Sequence, residues 1–332
     1  MKSLVKEWEH ELEALHARLA NQFSRSESRE RSLSYLKGLL GTAERKNGWQ
    51  LAEWIGDSTP DGVQYLLERA KWDADAARIE NSQIGVFLCY AGNGGSAFID
   101  RELYLPQSWI EDPQRCMSAG VPDTRKFATK PQLARQMLER ALDAGVPCGW
   151  VTGDEVYGGD RHLRLWLESR EQSFVLAVAK NEPLWWQGPT YVRADKIAAS
   201  RPAGAWRRLS AGAGAKGERL YDWALTPLWR LQMTAEERRF GHYLLVRRSL
   251  DEKREHAFYV VYAPRRKATR QTLVNVAGRR WEIEIGFEAA KGESGLDQYE
   301  VRRWQGWYRH ITFALLAHAA LATLRVRGKK NA

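Results

Sequence analysis

Between Gln83 and Ala179 the chain alternates apolar strands with capped helices, a pattern that restricts it to an α/β sheet with helices on its faces. Ile84-Gly85-Val86-Phe87-Leu88-Cys89-Tyr90 is an apolar strand, Asn93-Gly94-Gly95 a hairpin turn, and Ser96 to Leu105 alternates in period two until Pro106 ends it. Thr129-Lys130-Pro131 reads as the cap and first turn of a helix. It carries Leu133, Met137, Leu138 and Ala141 on one side and stops at Gly145. Cys148 to Gly153 is a short buried strand with Asp154 at its carboxyl tip, and a helix over Arg161 to Ser169 leads into the strand Ser173 to Ala179. Function in such sheets collects at the carboxyl ends of the strands, so Asp154 is a first candidate.

The flanks have a different texture. Residues 1–75 read as all helical: Leu4, Trp8, Leu12, Leu15 and Leu19 recur at helical spacing, Ser34 to Leu40 continues in the same period, and Asn47 to Gly56 is a helix with a glycine stop. Asp57-Ser58-Thr59-Pro60 then caps a helix over Asp61 to Lys71. Two short helices about a glycine turn suit a helix-turn-helix, although plain bundles use the same pairing. Trp185 to Ala263 is β-rich and basic, with strands over Ala205 to Leu209, Arg219 to Thr226, Gly241 to Arg248 and His256 to Ala263. A helix over Thr269 to Val276 and a long apolar helix over Trp304 to Arg325 finish the chain.

A net charge of +10 favours a polyanionic partner, nucleic acid ahead of an anionic membrane surface. Ile311 to Val326, the most apolar segment, is broken by His318 and Arg325 and falls short of the ~18–20 apolar residues of a membrane span. Met1 to Glu9 carries charge of both signs, unlike a secretory leader. Cys89, Cys116 and Cys148 are odd in number and far apart, which argues for reduced thiols and against a zinc cluster.

From Arg280 to Lys291 two stripes run at helical spacing. Ile283, Phe287 and Ala290 form an apolar one; Arg280, Glu284, Glu288 and Lys291 form a charged one. Such a line is either a solvated face with i,i+4 ion pairs or a carboxylate metal ligand flanked by phosphate-holding cations. The helix alone leaves both readings open.

Two motifs decide between them. Thr152-Gly153-Asp154-Glu155-Val156-Tyr157-Gly158, together with the spacing Arg280-x3-Glu284-x6-Lys291, strongly resembles the DDE transposases of bacterial insertion sequences. The branch resembled has a β-strand insertion ahead of its last acidic residue and a Y-x2-R-x3-E-x6-K signature; Ala277 stands where that signature has tyrosine. Further matches are Arg45-Lys46-Asn47-Gly48-Trp49-Gln50-Leu51-Ala52, Trp72-Asp73-Ala74-Asp75, Ala128 to Ala134 and Gly295 to Trp304. The resemblance implies an RNase H-like mixed sheet flanked by helices. It divides the chain into a helical DNA-binding domain (1–77), the first part of the core (78–184), a β-strand insertion (185–263) and C-terminal helices completing the core (264–332).

It also implies the chemistry. Asp154 and Glu284 would be catalytic carboxylates and ligands of two Mg²⁺ (or Mn²⁺) ions that activate the nucleophile and stabilise the leaving oxygen of an in-line phosphodiester attack. Arg280 and Lys291 would contact the DNA backbone, with Arg302, Arg303 and Trp307 extending that surface and Arg45, Lys46 and Trp49 serving the N-terminal domain. The implied partner is double-stranded DNA, as transposon ends and target, bound by a homodimer in the bacterial cytoplasm at the nucleoid. One part is missing: the family's first carboxylate lies on a strand for which the sequence has no room, because Trp72-Asp73-Ala74-Asp75-Ala76 runs into Ala77-Arg78-Ile79-Glu80-Asn81. Two functions therefore compete, a DDE transposase impaired by loss of its first aspartate and a DNA-binding remnant that cannot cut.

Overall fold

A computed structural model describes residues 2–17, 26–43, 46–57, 63, 83–92, 94–214, 217–300 and 302–330. It divides into two compact units: residues 1–128 with 282–332, and residues 129–281.

The first unit opens with α1 (Lys2–Ala17), α2 (Ser26–Leu40) and α3 (Gly48–Trp54). Asn47 caps α3 by accepting from the Gln50 amide at 3.0 Å, and Gly56, at φ 86°, follows its end as the glycine stop requires. Tyr35, Leu36 and Leu39 of α2 pack with Leu51 and Ala52 of α3 and with Val63, all but excluded from solvent. The helix expected over Asp61 to Lys71, the helix-turn-helix built on it, Arg45, and the Trp72–Asn81 segment, where loss of a strand was expected, lie outside the described residues, Val63 excepted. Next come β1 (Ile84–Gly92) and β2 (Gly95–Tyr104), paired antiparallel from Ile84↔Tyr104 to Gly92↔Gly95 with a bulge at Leu88/Cys89. Among the described residues this hairpin is a two-stranded sheet of its own. Two short helices, α4 (Gln107–Ile110) and α5 (Pro113–Ser118), follow it.

The second unit begins with α6 (Lys130–Asp143), where Thr129 and Gln132 form a reciprocal capping box and Gly145 closes the helix at φ 75°. β3 (Val151–Gly153), α7 (Glu155–Gly158), α8 (Arg161–Ser169) and β4 (Phe174–Val178) make a β-α-β unit whose two strands run parallel, Val151↔Phe174 to Gly153↔Leu176. After the small β5–β6 hairpin (Pro183–Trp185, Tyr191–Arg193) and α9 (Ala194–Ala199) come β7 (Arg207–Gly214), β8 (Gly217–Pro227), α10 (Ala235–Arg238), β9 (Phe240–Arg248) and β10 (His256–Pro264). β10 pairs directly with β4, so the strands expected as an insertion continue the core sheet in the order β3-β4-β10-β9-β8-β7.

That six-stranded mixed sheet curls. Helix α11 (Arg270–Arg279) touches β3 and β4 at one end of the order and β7 and β8 at the other. Leu273, Val274 and Ala277 of α11 meet Val175, Trp223, Leu245, Tyr259 and Val261 in one core. The approach is tight where Gly278 faces β7: a Cβ there would lie 2.1 Å from the Ala211 carbonyl oxygen, so only glycine fits. This mixed α/β architecture is of the RNase H-like type.

α12 (Glu282–Ser294) and α13 (Trp304–Lys330) return to the first unit. Ile283, Phe287 and Ala290 turn inward as their spacing predicts, Phe287 meeting Phe87 edge-on at 5.1 Å. Gly295, at φ 60°, follows the end of α12, and the Leu296 amide donates back to the Ala290 carbonyl at 3.1 Å. By length and composition α13 reaches the threshold for a membrane span over Trp304–Gly328, more than its sequence suggested, yet Trp307, Ile311, Ala314 and Leu315 are buried in the core of this unit. His310 joins α13 to α2. Its Nε2 donates to the Gly295 carbonyl at 3.1 Å, and its Nδ1 accepts from the Tyr35 hydroxyl at 2.8 Å. Burial drives its pKa down to about 4.

The charged stripe is not continuous. Arg280 caps the end of α11 and α12 starts only at Glu282, with three-residue turns carrying the Arg280 and Trp281 amides back to Ala277 and Gly278. Arg280 therefore does not lie one helical turn before Glu284; the two belong to different compact units.

Candidate active site

β3 ends at Gly153, and Asp154 stands at its tip as the cap of α7. The Asp154 Oδ1 accepts from the Val156 amide at 2.9 Å, which orients the carboxylate while leaving the residue exposed. The motif around it has a local logic. Gly158 lets α7 lie on the end of β4, since a Cβ would come 1.8 Å from the Ala177 carbonyl oxygen. Tyr157 is half-buried, and burial followed by the Asp154 charge pushes its hydroxyl up to about 12, so it stays protonated.

A cleft of about 780 Å³ opens at the carboxyl ends of the parallel pair β3 and β4. Asp154, Glu155 and Asp195 line it beside Lys180, Arg247 and Arg280, over a floor that includes Ala177, Phe258 and Tyr259. Arg193 binds Asp195 through two nitrogens at 2.8 and 3.1 Å and holds its carboxyl below the usual range. Arg247 lies over the Tyr221 ring at 4.6 Å, and its buried Nε has no hydrogen-bond partner. His256, also on the cleft, is lowered by burial and then by the Arg248 charge, which keeps it neutral at pH 7. A wall of three cations beside an exposed carboxylate suits a phosphodiester and its negative oxygens.

The residues expected from the sequence divide as follows. Asp154 and Arg280 come together in this cleft. Glu284 and Lys291 lie in the other unit, on α12; Glu284 is partly buried in the first turn, and Lys291 is exposed with Asp297 at 3.8 Å. Arg302 and Arg303 are exposed just before α13. Trp307 is a correction: at 2% exposure, against Phe87 and Tyr308, it fills the core and presents no ring to DNA. Lys46 is another, being 6% exposed with its Nζ donating to the Gly41 carbonyl, so it braces the helices rather than offering a surface cation. Trp49 sits on α3 with its side chain outside the described residues.

Lys180 and Arg247 were missed. Lys180 was within reach, because it follows the last residues of a strand already placed; Arg247 needed the pairing of β9 with β10 to bring it to the same end. As for a metal centre, no group of three or more His, Cys, Asp or Glu side chains is placed to share an ion among the described residues. Asp154 is the right kind of ligand for a hard cation, but the carboxylates present in the cleft do not make up a two-ion donor set.

On this RNase H-like scaffold an acidic residue stands at a strand tip with two arginines and a lysine around it, a set of side chains suited to contact with a phosphodiester. Residues 75–223, a little under half of the chain, match the DDE superfamily endonuclease family. The matched segment contains Asp154 and ends in β8, before Glu284. Nucleases of this superfamily act on DNA and use divalent metal ions. No curated protein matches the chain.

Proposed function

We propose that this chain is a DNA transposase of the DDE type, derived from a bacterial insertion sequence and working on double-stranded DNA as a homodimer in the cytoplasm, with its cutting step impaired by loss of the first catalytic aspartate. The observation that carries the reading is Asp154 at the tip of β3, in one cleft with Lys180, Arg247 and Arg280. In this scheme Asp154 and Glu284 are the two surviving Mg²⁺ ligands, and the metal, when bound, supplies Lewis-acid stabilisation of the attacked phosphate. Lys180, Arg247 and Arg280 hold the non-bridging oxygens; Lys291, Arg302 and Arg303, with residues 1–77, add duplex contacts.

One observation favours a second reading, a DNA-binding remnant without cleavage: the described residues hold no three-ligand cluster. The two part in a nicking assay on supercoiled DNA carrying the element ends, with Mg²⁺ or Mn²⁺, beside Asp154→Ala. Nicking that disappears in Asp154→Ala supports the transposase. Salt-sensitive duplex binding with no nicking by either protein supports the remnant, and absence of any DNA binding refutes both.

A further inference from the structure

Helix α11 opens on cationic ground at both ends. Its C-terminal Arg280 faces the Asp154 cleft; its N-terminal turn borders a second groove of about 490 Å³ on the same curled sheet. Ten residues of helix, about 15 Å, lie between the two. Arg207, Arg208 and Arg270 rim the second groove and Leu209, Leu225 and Tyr243 form its floor. Unlike the first cleft, it has no carboxylate in its lining.

The arginines are not equivalent. Arg208 is paired with Asp222 at 3.3 Å. Arg207 is held by the carbonyls of Gly204 and Trp206, at 2.9 and 3.0 Å, which fixes the guanidinium without neutralising it. Arg270 has a buried Nε with no hydrogen-bond partner. Burial and the nearby Arg207 charge both act against its protonated form. Among the described residues neither Arg207 nor Arg270 has a carboxylate partner. Two like charges brought together over an apolar floor are costly unless an anion joins them. Both guanidiniums rim one groove, where the oxygens of a phosphate can accept from them, and the Leu209–Leu225–Tyr243 floor suits the sugar attached to it.

We propose that this groove is a second phosphate site, in which Arg207 and Arg270 grip the backbone of a DNA strand, away from Asp154 and without a metal ion. It rests on the DNA-binding reading above and adds a metal-independent anchor to it. The test uses the full chain in EDTA, a labelled duplex and a salt titration. For Arg207→Gln/Arg270→Gln, the slope of log affinity against log salt becomes shallower by about 0.9, the contribution of one phosphate. A second readout needs no variant: phenylglyoxal modification of Arg207 and Arg270 in the wild-type protein, mapped by mass spectrometry, is suppressed by the duplex. An unchanged slope, or modification unaffected by bound duplex, overturns the second site and leaves DNA binding standing. Wild-type protein that shows no salt-dependent duplex binding overturns both.

Discussion

Gly158→Ala should destabilise the second unit, although alanine is the better helix former by up to about 1 kcal/mol. The reason is geometric. The new methyl would sit 1.8 Å from the Ala177 carbonyl oxygen and 2.8 Å from its carbon, where ordinary contact needs at least 3.4 Å. β4 cannot give way: it is hydrogen-bonded to β3 and β10 on its two sides, and Val175 and Leu176 are 1% exposed. Helix α7 must therefore lift by more than about 1 Å, at the upper end of the usual 1–3 kcal/mol for overpacking. We expect a net loss of about 2–3 kcal/mol. In equilibrium urea unfolding followed by tryptophan fluorescence, at a slope of about 2–3 kcal/mol/M, the midpoint falls by roughly 1 M with the slope unchanged. Gly149→Ala, where a Cβ meets nothing within 4 Å, stays within about 0.5 kcal/mol of wild type. A Gly158→Ala protein as stable as the Gly149→Ala control would refute the claim that backbone contact seats α7 and, with it, Asp154.

Three other outcomes follow from the same structure. The His310 pKa is lowered, so the unfolded chain takes up the proton first: its contribution is complete above pH 6.5 and is lost as pH falls toward 4. Between those limits it removes about 3 kcal/mol of stability, and Tyr35→Phe/His310→Leu should flatten that part of the pH–stability curve measured by denaturant titration. Arg164 and Glu182, 2.6 Å apart with side chains 8% and 11% exposed, tie α8 to the segment after β4; Glu182→Gln should cost about 3 kcal/mol or more by thermal unfolding, since it strands a buried guanidinium. Trp307→Ala should lower stability by about 3–5 kcal/mol in a urea titration without changing the salt slope of duplex binding, whereas Arg303→Gln should do the reverse.

What the sequence revealed depended on whether the signal was local. Helix caps are local, and the starts at Asn47, Thr129 and Thr269 stand where the structure has them, as does the helix Arg161–Ser169. Asp154 was legible because a strand tip and a helix cap coincide there. β3 came out shorter than the apolar run from Cys148, because its pairing begins where β4 begins, at Phe174. The break at Arg280–Trp281 escaped notice for a physical reason: Arg280 keeps helical dihedrals, φ −53° and ψ −32°, so the apolar period passes through it undisturbed. Trp307 and Lys46 carried surface chemistry in their residue types, and only packing showed that both are interior. The junction of β10 with β4 joins residues eighty or more positions apart and leaves no mark in any short window.

The two units also differ in how they can be made. One is a single run of chain, 129–281; the other closes only when its two ends meet, and the Tyr35–His310 hydrogen bond joins partners 275 residues apart. During synthesis the run can collapse as soon as it leaves the ribosome, while α2, α3 and the β1–β2 hairpin wait with Leu36, Leu39 and Phe98 uncovered until α12 and α13 emerge. The closing stretch is thus the latch of the assembly. A nascent chain stalled before Trp304 should hold a structured middle and a sticky beginning, and be a ready client for chaperones.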